Sequence, residues 1–171
     1  MGEDLKQFVP SEICLRCDGC CRFRDEKSVW RPKMSKEEIP ASSDQENKDS
    51  SARFIMDDDG YVKTVPNKDT RVCQFFAPKT NTCHIYEKRP LECRLYPFML
   101  ISDQKHMVMA VHTRCPFIQE KEKTQELQAY VDDLKEFCLR KETIEFLERN
   151  PSLAGDYQED KTEIRHLFKI L

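Results

Sequence analysis

Apolar and polar residues alternate in short stretches over the first two thirds of the chain, a pattern that predicts small antiparallel strands. Residues 54–56 and 61–65 favour β-structure, and the Asp59-Gly60 pair between them is typical of a hairpin turn. Four further short segments predict strands: residues 72–76, 82–86, 95–101 and 107–112. The sequence therefore predicts a set of short hairpins in this part of the chain.

The apolar pattern changes to helical spacing after residue 119. One predicted helix has its apolar stripe at Leu127, Val131, Leu134 and Cys138. A second helix is expected to end before Pro151. The apolar positions of the terminal residues 162–171 predict a third, short helix. Earlier in the chain, Pro90 is expected to open a helical turn that carries Cys93.

The composition limits how large a hydrophobic core the chain can form. Of its 171 residues only 39% are apolar, 35% are charged, and the mean hydropathy is -0.72. A core this thin often requires a staple such as a disulfide or a metal ion. The chain contains nine cysteines, which are the obvious candidates for that staple.

Charge and hydropathy also argue against several classes of function. The formal net charge of -3 gives no electrostatic reason to expect nucleic-acid binding. No apolar segment approaches the roughly 20 residues of a membrane span, and residues 1–6 lack the hydrophobic core of a secretion signal. We therefore expect a cytoplasmic protein that binds neither nucleic acid nor membranes.

The spacing of the cysteines favours metal binding. Four form a C-x-x-C-x-x-C-C group: Cys14, Cys17, Cys20 and Cys21. Four more follow in the middle of the chain: Cys73, Cys83, Cys93 and Cys115. Thiolates three positions apart can converge on one ion, and overlapping C-x-x-C pairs present three thiolates to an iron–sulfur cluster. We predict these eight as metal ligands; they fit two four-thiolate sites, one cluster plus a zinc ion, or one cluster with the remaining cysteines structural.

Two other uses of the cysteines are less favoured. A disulfide framework requires an oxidising compartment, and an odd count without an export signal argues against it. Thiol–disulfide exchange at Cys14 and Cys17 would need a βαβ setting that the sequence does not predict.

The adjacent Cys20 and Cys21 are expected to point in different directions, so that one serves the local group and the other a second set.

Three further residues remain open as ligands. His84 directly follows Cys83, and His112 precedes Cys115 by three positions, so either could replace a thiolate. Cys138 lies on the apolar stripe of a predicted helix, which favours a buried thiol over a ligand.

A thiolate site requires positive charge nearby. Four thiolates around Zn²⁺ or a [4Fe–4S]²⁺ core leave a net charge of about -2, and burying that charge requires cations or N–H donors. The arginines beside cysteines are Arg16, Arg22, Arg89 and Arg94. Arg94, directly after Cys93, is predicted to lie behind the ligands and provide this charge.

The cysteine pattern resembles the CxxCxxCC signature of the YkgJ-like cysteine-cluster family. The resemblance rests on the C-x-x-C-x-x-C-C group, on Cys73, on the segment CHIYEKRPLECRLYPF that begins at Cys83, and on Cys115-Pro116. It implies a domain that chelates zinc or iron, or an iron–sulfur protein with oxidoreductase-like activity. Such a domain is also similar to part of flagellin lysine N-methylase, although no G-x-G-x-x-G motif for a methyl donor is present here.

These observations predict an α+β fold: a small, metal-stabilised, cysteine-rich domain with short antiparallel strands and C-terminal helices. Residues 1–118 are expected to form the cysteine-cluster domain, and residues 119–171 a helical extension packed on it. The polar residues 42–52 predict a surface insertion away from the metal.

Three functions remain open. The favoured function is binding of an iron–sulfur cluster, with [4Fe–4S] as the preferred type. The protein would then have an electron-transfer or redox role and a protein redox partner. The second is a zinc-stapled structural or interaction module without catalysis. The least favoured is a metal-dependent enzyme related to flagellin lysine N-methylase.

Overall fold

The computed structural model describes the chain in four stretches: residues 5–17, 19–38, 55–157 and 162–171. Its elements form a mixed α+β fold with small antiparallel sheets and C-terminal helices, which confirms the predicted fold class. The insertion predicted at 42–52 lies outside the described residues. The chain divides into a cysteine unit, Pro10–Cys93, and a sheet–helix unit, Met1–Val9 with Arg94–Leu171. The boundary after residue 118 stays a prediction.

The cysteine unit begins with a helix and a small sheet. Helix α1 (Ser11–Cys17) is followed by a 3₁₀ turn, Gly19–Cys21. The antiparallel sheet has the order β1-β3-β2, with β1 at Arg22–Phe23, β2 at Thr64–Asn67 and β3 at Thr70–Cys73. Because β3 is central and ends at Cys73, this sheet fixes the backbone at one of the predicted ligands.

A second hairpin and a short helix complete the cysteine unit. Strands β4 (Phe76–Ala77) and β5 (Thr82–Cys83) pair antiparallel. A 3₁₀ turn (Tyr86–Lys88) leads to helix α2 (Leu91–Leu95), which begins directly after Pro90. The predicted helical turn that carries Cys93 is therefore confirmed.

The predicted strands of the cysteine unit are shorter than expected. The segment at 72–76 is interrupted by a turn between β3 and β4, and the segment at 82–86 forms a strand only over its first two residues. The turn predicted at Asp57 to Gly60 is confirmed. In the described residues on either side of this turn, the strand pairing consists of one bridge, Met56 with Val62. Gly60 has φ of 83°, a left-handed conformation that glycine adopts without strain.

The apolar core of the cysteine unit is small. It consists of eight buried residues: Phe23, Met34, Ile55, Met56, Val62, Val72, Cys73 and Phe76. The half-buried Cys21, Trp30, Phe75 and Ile85 pack against it. Two of the predicted ligands thus belong to this core or its border.

The sheet–helix unit is built on longer strands. Strands β6 (Phe98–Asp103) and β7 (His106–His112) form the predicted hairpin, and β8 (Ile164–Lys169) pairs on the other side of β7. All three strands are antiparallel to their neighbours. Met109 and Ala110 at the centre of β7 are completely buried.

Three helices lie between β7 and β8 in the chain. They are α3 (Pro116–Lys121), α4 (Gln125–Cys138) and α5 (Lys141–Arg149). Thr124 caps α4, because its side chain accepts the N–H of Leu127 at 3.2 Å. Helices α4 and α5 confirm the two helices predicted for this region, and α5 ends before Pro151 as expected.

The predicted terminal helix is wrong, since residues 164–169 form strand β8. Strand β7 is buried along most of its length, so its second edge requires backbone hydrogen-bond partners. Pairing with β7 therefore outweighs the local spacing of Ile164, Leu167 and Phe168.

Aromatic residues and the helix stripe form the core of the sheet–helix unit. Phe8 contacts Phe98 at 5.8 Å, Phe117 at 5.4 Å and Tyr130 at 4.7 Å between ring centroids. The hydroxyl of Tyr130 donates to the carbonyl of Lys6 at 2.8 Å, which fixes the N-terminal residues on this core. Among the described residues, the helices are too short or too polar to cross a lipid bilayer.

Candidate metal centre

The first four cysteines lie on helix α1 and the 3₁₀ turn after it. Cys14 and Cys17 are three positions apart on α1, so they share one side of the helix. Cys14 is half-buried, whereas Cys17 is exposed. The side-chain amide of Asn81 donates to the carbonyl of Leu15, which ties α1 to the β4–β5 turn. The same local folding therefore positions α1 beside the hairpin that ends at Cys83.

The side chains of Cys20 and Cys21 do not point apart as expected, and the assignment of the two cysteines to separate sets stays a prediction. Their side chains are hydrogen-bonded to each other, because the 3₁₀ turn brings the adjacent residues onto one side. This hydrogen bond raises the pKa of Cys20, and burial and the charges of Cys21, Cys14 and Cys93 raise it further. Both sulfur atoms thus belong to one local environment.

Cys73 and Cys83 each accept backbone N–H groups from the residues that follow them. The N–H groups of Phe75 and Phe76 hydrogen-bond to Cys73, and that of Ile85 to Cys83. The turns that interrupt the predicted strands direct these N–H groups at the sulfur atoms. Donors of this kind stabilise a thiolate and are typical of metal-binding cysteines.

Burial nevertheless favours the neutral thiols of Cys73, Cys83 and Cys93. It raises the pKa of Cys73 to about 12, against the lowering effect of its N–H donors. Burial is also the main reason that the pKa of Cys83 is raised. The pKa of Cys93 is raised well above its usual value by burial and by the charges of Cys73, Cys21, Glu92 and Cys83.

The charges of these cysteines affect one another's pKa values, which groups six of them in one environment: Cys14, Cys20, Cys21, Cys73, Cys83 and Cys93. All nine cysteines are free thiols. Across the described stretches, however, no three Cys, His, Asp or Glu side chains stand close enough to hold a metal ion. A metal that binds here must displace the thiol protons.

Two carboxylates position helix α2 and with it Cys93. Glu38 accepts the N–H of Leu91 at 2.6 Å and the N–H of Ser35 at 3.0 Å, and the second of these bonds forms one arm of a capping box. Glu92 accepts the N–H of Lys33 at 2.5 Å. Burial raises the pKa of Glu92 to about 8, and its Oε1 atom is shielded without a hydrogen-bond partner.

Sequence reasoning missed the roles of Glu38 and Glu92. Charged residues are frequent in this chain, so the sequence does not distinguish these two glutamates from the others. Their partners lie 53 and 59 positions away in the chain. The one available signal was the S-x-x-E spacing of Ser35 and Glu38, which indicates a cap but not a contact with α2.

Of the four arginines beside cysteines, Arg89 has a direct contact with a sulfur atom. Its Nη1 lies 3.9 Å from Cys14 Sγ, and its charge lowers the pKa of Cys83 against the stronger effect of burial. Arg94 follows Cys93 on α2 and is half-buried. The prediction that Arg94 supplies the cation behind the ligands stays a prediction.

The remaining candidates lie in other settings. Cys115 is buried in the sheet–helix unit, at the position before helix α3. Cys138 is 2% exposed, and burial raises its pKa to about 12, which confirms a buried thiol on the apolar stripe of α4. His84 is exposed, whereas His112 Nδ1 lies 2.8 Å from the hydroxyl of Tyr96. The ligand roles of all eight predicted cysteines stay predictions.

The chain belongs to the CxxCxxCC family, because the family's profile matches residues 13–152. This family is described as a "Putative zinc- or iron-chelating domain". The matched residues include all nine cysteines. No curated protein and no solved structure matches the chain.

The donor set of the cysteine unit fits the metals of the family description. Thiolates select zinc, iron and iron–sulfur clusters over hard cations such as Mg²⁺ and Ca²⁺. The six grouped thiols are free, partly or fully buried, and in two cases already accept N–H groups. A bound zinc ion would supply structural cross-linking, and an iron–sulfur cluster would supply one-electron redox chemistry.

Proposed function

We propose that the chain binds an iron–sulfur cluster through the thiolates of its cysteine unit and transfers electrons to a protein partner. The observation that carries this proposal is the group of six interacting thiols: Cys14, Cys20, Cys21, Cys73, Cys83 and Cys93. A [4Fe–4S] cluster takes four thiolates. The other two would then be structural or belong to a second site.

The surroundings of these thiols support a redox cluster. Trp30, Phe75 and Ile85 pack against the core to which Cys21 and Cys73 belong. Apolar side chains limit access of water to a cluster, and N–H groups that donate to its sulfur atoms tune its reduction potential. The N–H donors at Cys73 and Cys83 are therefore expected to act on the potential.

The proposal includes a reducing, cytoplasmic setting. Nine free thiols persist most readily where disulfides are kept reduced. An exposed side of the centre is available at Cys17, on the last turn of α1. We place the contact with a redox partner on that side.

The test is anaerobic purification from cells supplied with both iron and zinc, followed by metal and acid-labile sulfide analysis. Equal amounts of iron and sulfide, with a broad absorption band in the visible region, are the expected result. Reduction by dithionite should bleach that band. Iron or zinc without sulfide would contradict the cluster.

A second candidate, a zinc-stapled module without catalysis, is favoured by one observation. The core of the cysteine unit has eight buried residues and its strands are two to four residues long. A core of this size requires a staple, which a zinc ion bound by four thiolates would provide. Stoichiometric zinc, no sulfide and no colour would select this function.

A further inference from the structure

We propose that Arg89 is the positioning cation of the thiolate centre, held in place by Tyr86 so that its guanidinium faces Cys14. This inference rests on the proposed binding of metal by the cysteine unit. Arg89 is not itself a predicted metal ligand. Three contacts of the Arg89 side chain carry it.

The first contact joins Arg89 to the predicted ligands. Its Nη1 lies 3.9 Å from Cys14 Sγ, across 75 positions of the chain. This is within the range of a hydrogen bond to sulfur, and such a bond strengthens when the acceptor is a thiolate. The charge of Arg89 also acts on Cys83, so the guanidinium serves more than one sulfur atom.

The other two contacts fix the guanidinium on Tyr86. Arg89 Nε donates to the carbonyl of Tyr86 at 2.6 Å, and Arg89 Cζ lies 3.5 Å from the centroid of the Tyr86 ring. A planar guanidinium stacks on an aromatic ring and still presents N–H groups at its edge, which an ammonium group cannot do. The geometry therefore requires arginine and not merely a positive charge.

Two neighbouring arginines contact other groups. The guanidinium of Arg22 lies over the ring of Phe76 at 5.3 Å, and Arg31 forms an ion pair with Asp57 at 2.6 Å. Arg16 is exposed on the last turn of α1, beside Cys17. Arg16 is thus a suitable control, because its replacement removes the same charge from the same unit.

The expected role follows from the charge of the loaded centre. When metal replaces the thiol protons, the four thiolates and their metal carry a net negative charge of about -2. A fixed cation offsets part of that charge without adding a ligand. Arg89 should therefore favour the metal-bound state more than the metal-free state.

The test is zinc binding to the full chain, measured by competition with a chromophoric chelator, for wild type, Arg89→Gln, Arg89→Lys and Arg16→Gln. Losing a group that supports metal ligands typically lowers affinity about 10- to 100-fold, and we expect this for Arg89→Gln. Arg89→Lys should lie between Arg89→Gln and wild type. Arg16→Gln should bind as wild type does.

Thermal unfolding with and without zinc separates positioning from a general effect on folding. In Arg89→Gln the rise in melting temperature on adding zinc should shrink, whereas Arg16→Gln should keep it. Tyr86→Leu removes the supporting ring and leaves the charge, so it should lower affinity less than Arg89→Gln does. It also keeps the test open if Arg89→Gln does not fold.

The outcomes distinguish this inference from the proposed function. If wild type binds neither zinc nor iron, the proposed function fails. If wild type binds metal and Arg89→Gln binds it equally well, only the role of Arg89 is overturned. An equal loss of affinity in Arg16→Gln would also overturn it, because net charge alone would then explain the effect.

Discussion

The two units of the chain differ in what can hold them together. The sheet–helix unit has strands of six and seven residues and a helix of 14 residues, with Met109 and Ala110 completely buried. In its described residues, the cysteine unit has strands of at most four residues and an eight-residue apolar core. The difference indicates that apolar burial stabilises one unit, whereas we expect metal–thiolate bonds to stabilise the other.

Metal removal is expected to cause the largest difference in stability between the two units. We expect a chelator, under anaerobic reducing conditions, to abolish protection from hydrogen exchange in β2 and β3 while β6 and β7 keep theirs. Structural metal sites supply folding free energy directly, and loss of metal unfolds small domains that depend on it. Hydrogen-exchange mass spectrometry of the full chain measures both regions at once. Equal behaviour of the two regions would show that the comparison is wrong.

Substitution of a single grouped cysteine should have the next largest effect. Cys93→Ser is expected to remove most bound metal and to lower the stability of the cysteine unit, because Cys93 interacts with Cys73, Cys21 and Cys83. Cys138→Ser is the matched control. It should keep full metal content and cost about 1–3 kcal/mol through its buried hydroxyl. Metal analysis and thermal unfolding of both variants check this; metal loss in the control would mean that Cys138 has been misassigned.

A core deletion in the other unit gives the converse result. Leu134 on α4 is 1% exposed, and Leu134→Ala should lower the free energy of unfolding by about 2–5 kcal/mol. Metal content should not change. Denaturant titration and metal analysis of one preparation test both parts. A loss of metal would show that metal binding by the cysteine unit depends on the apolar core of the sheet–helix unit.

The smallest expected effect concerns Glu92. Its pKa is raised from 4.5 to about 8 by burial, so between these pH values the folded protein holds one proton more than the unfolded chain. Stability should therefore fall as pH rises from about 4.5 to 8. Glu92→Gln should flatten this slope, because glutamine does not ionise and can still accept the N–H of Lys33.

Denaturant titrations at pH 5 and pH 8 measure the slope for wild type and Glu92→Gln. The exposed Glu87, on the 3₁₀ turn before α2, provides the control variant Glu87→Gln. That control should keep the slope of wild type. An unchanged slope in Glu92→Gln would exclude burial of this carboxyl as its cause.

Local patterns predicted the parts of the fold whose cause is local. The stripe of Leu127 and Leu134 predicted α4 because helical spacing repeats over several turns, and Pro90 predicted the start of α2 because its backbone angle suits a first helical position. Strand β8 was missed because its pairing depends on β7, more than 50 positions earlier. Tertiary pairing of this kind leaves no local signal.

The same division applies to the candidate site. The spacing of the cysteines identified the thiols, but not that Cys20 and Cys21 hydrogen-bond to each other. Proximity in sequence favoured Arg94 as the cation, which stays a prediction, and it did not identify the contact between Arg89 and Cys14. Arg89 follows Tyr86 by three positions and reaches back over its ring, a contact that depends on the 3₁₀ turn between them.

X-ray absorption at the iron and zinc edges of the anaerobically purified protein tests the central claim most directly. The account predicts a first coordination shell made of sulfur, at about 2.3 Å for zinc, and this shell should be lost in Cys93→Ser and kept in Cys138→Ser. For an iron–sulfur cluster, iron neighbours should appear beyond the sulfur shell. A first shell of oxygen and nitrogen, or bound metal that is unchanged in Cys93→Ser, would contradict a thiolate centre in the cysteine unit.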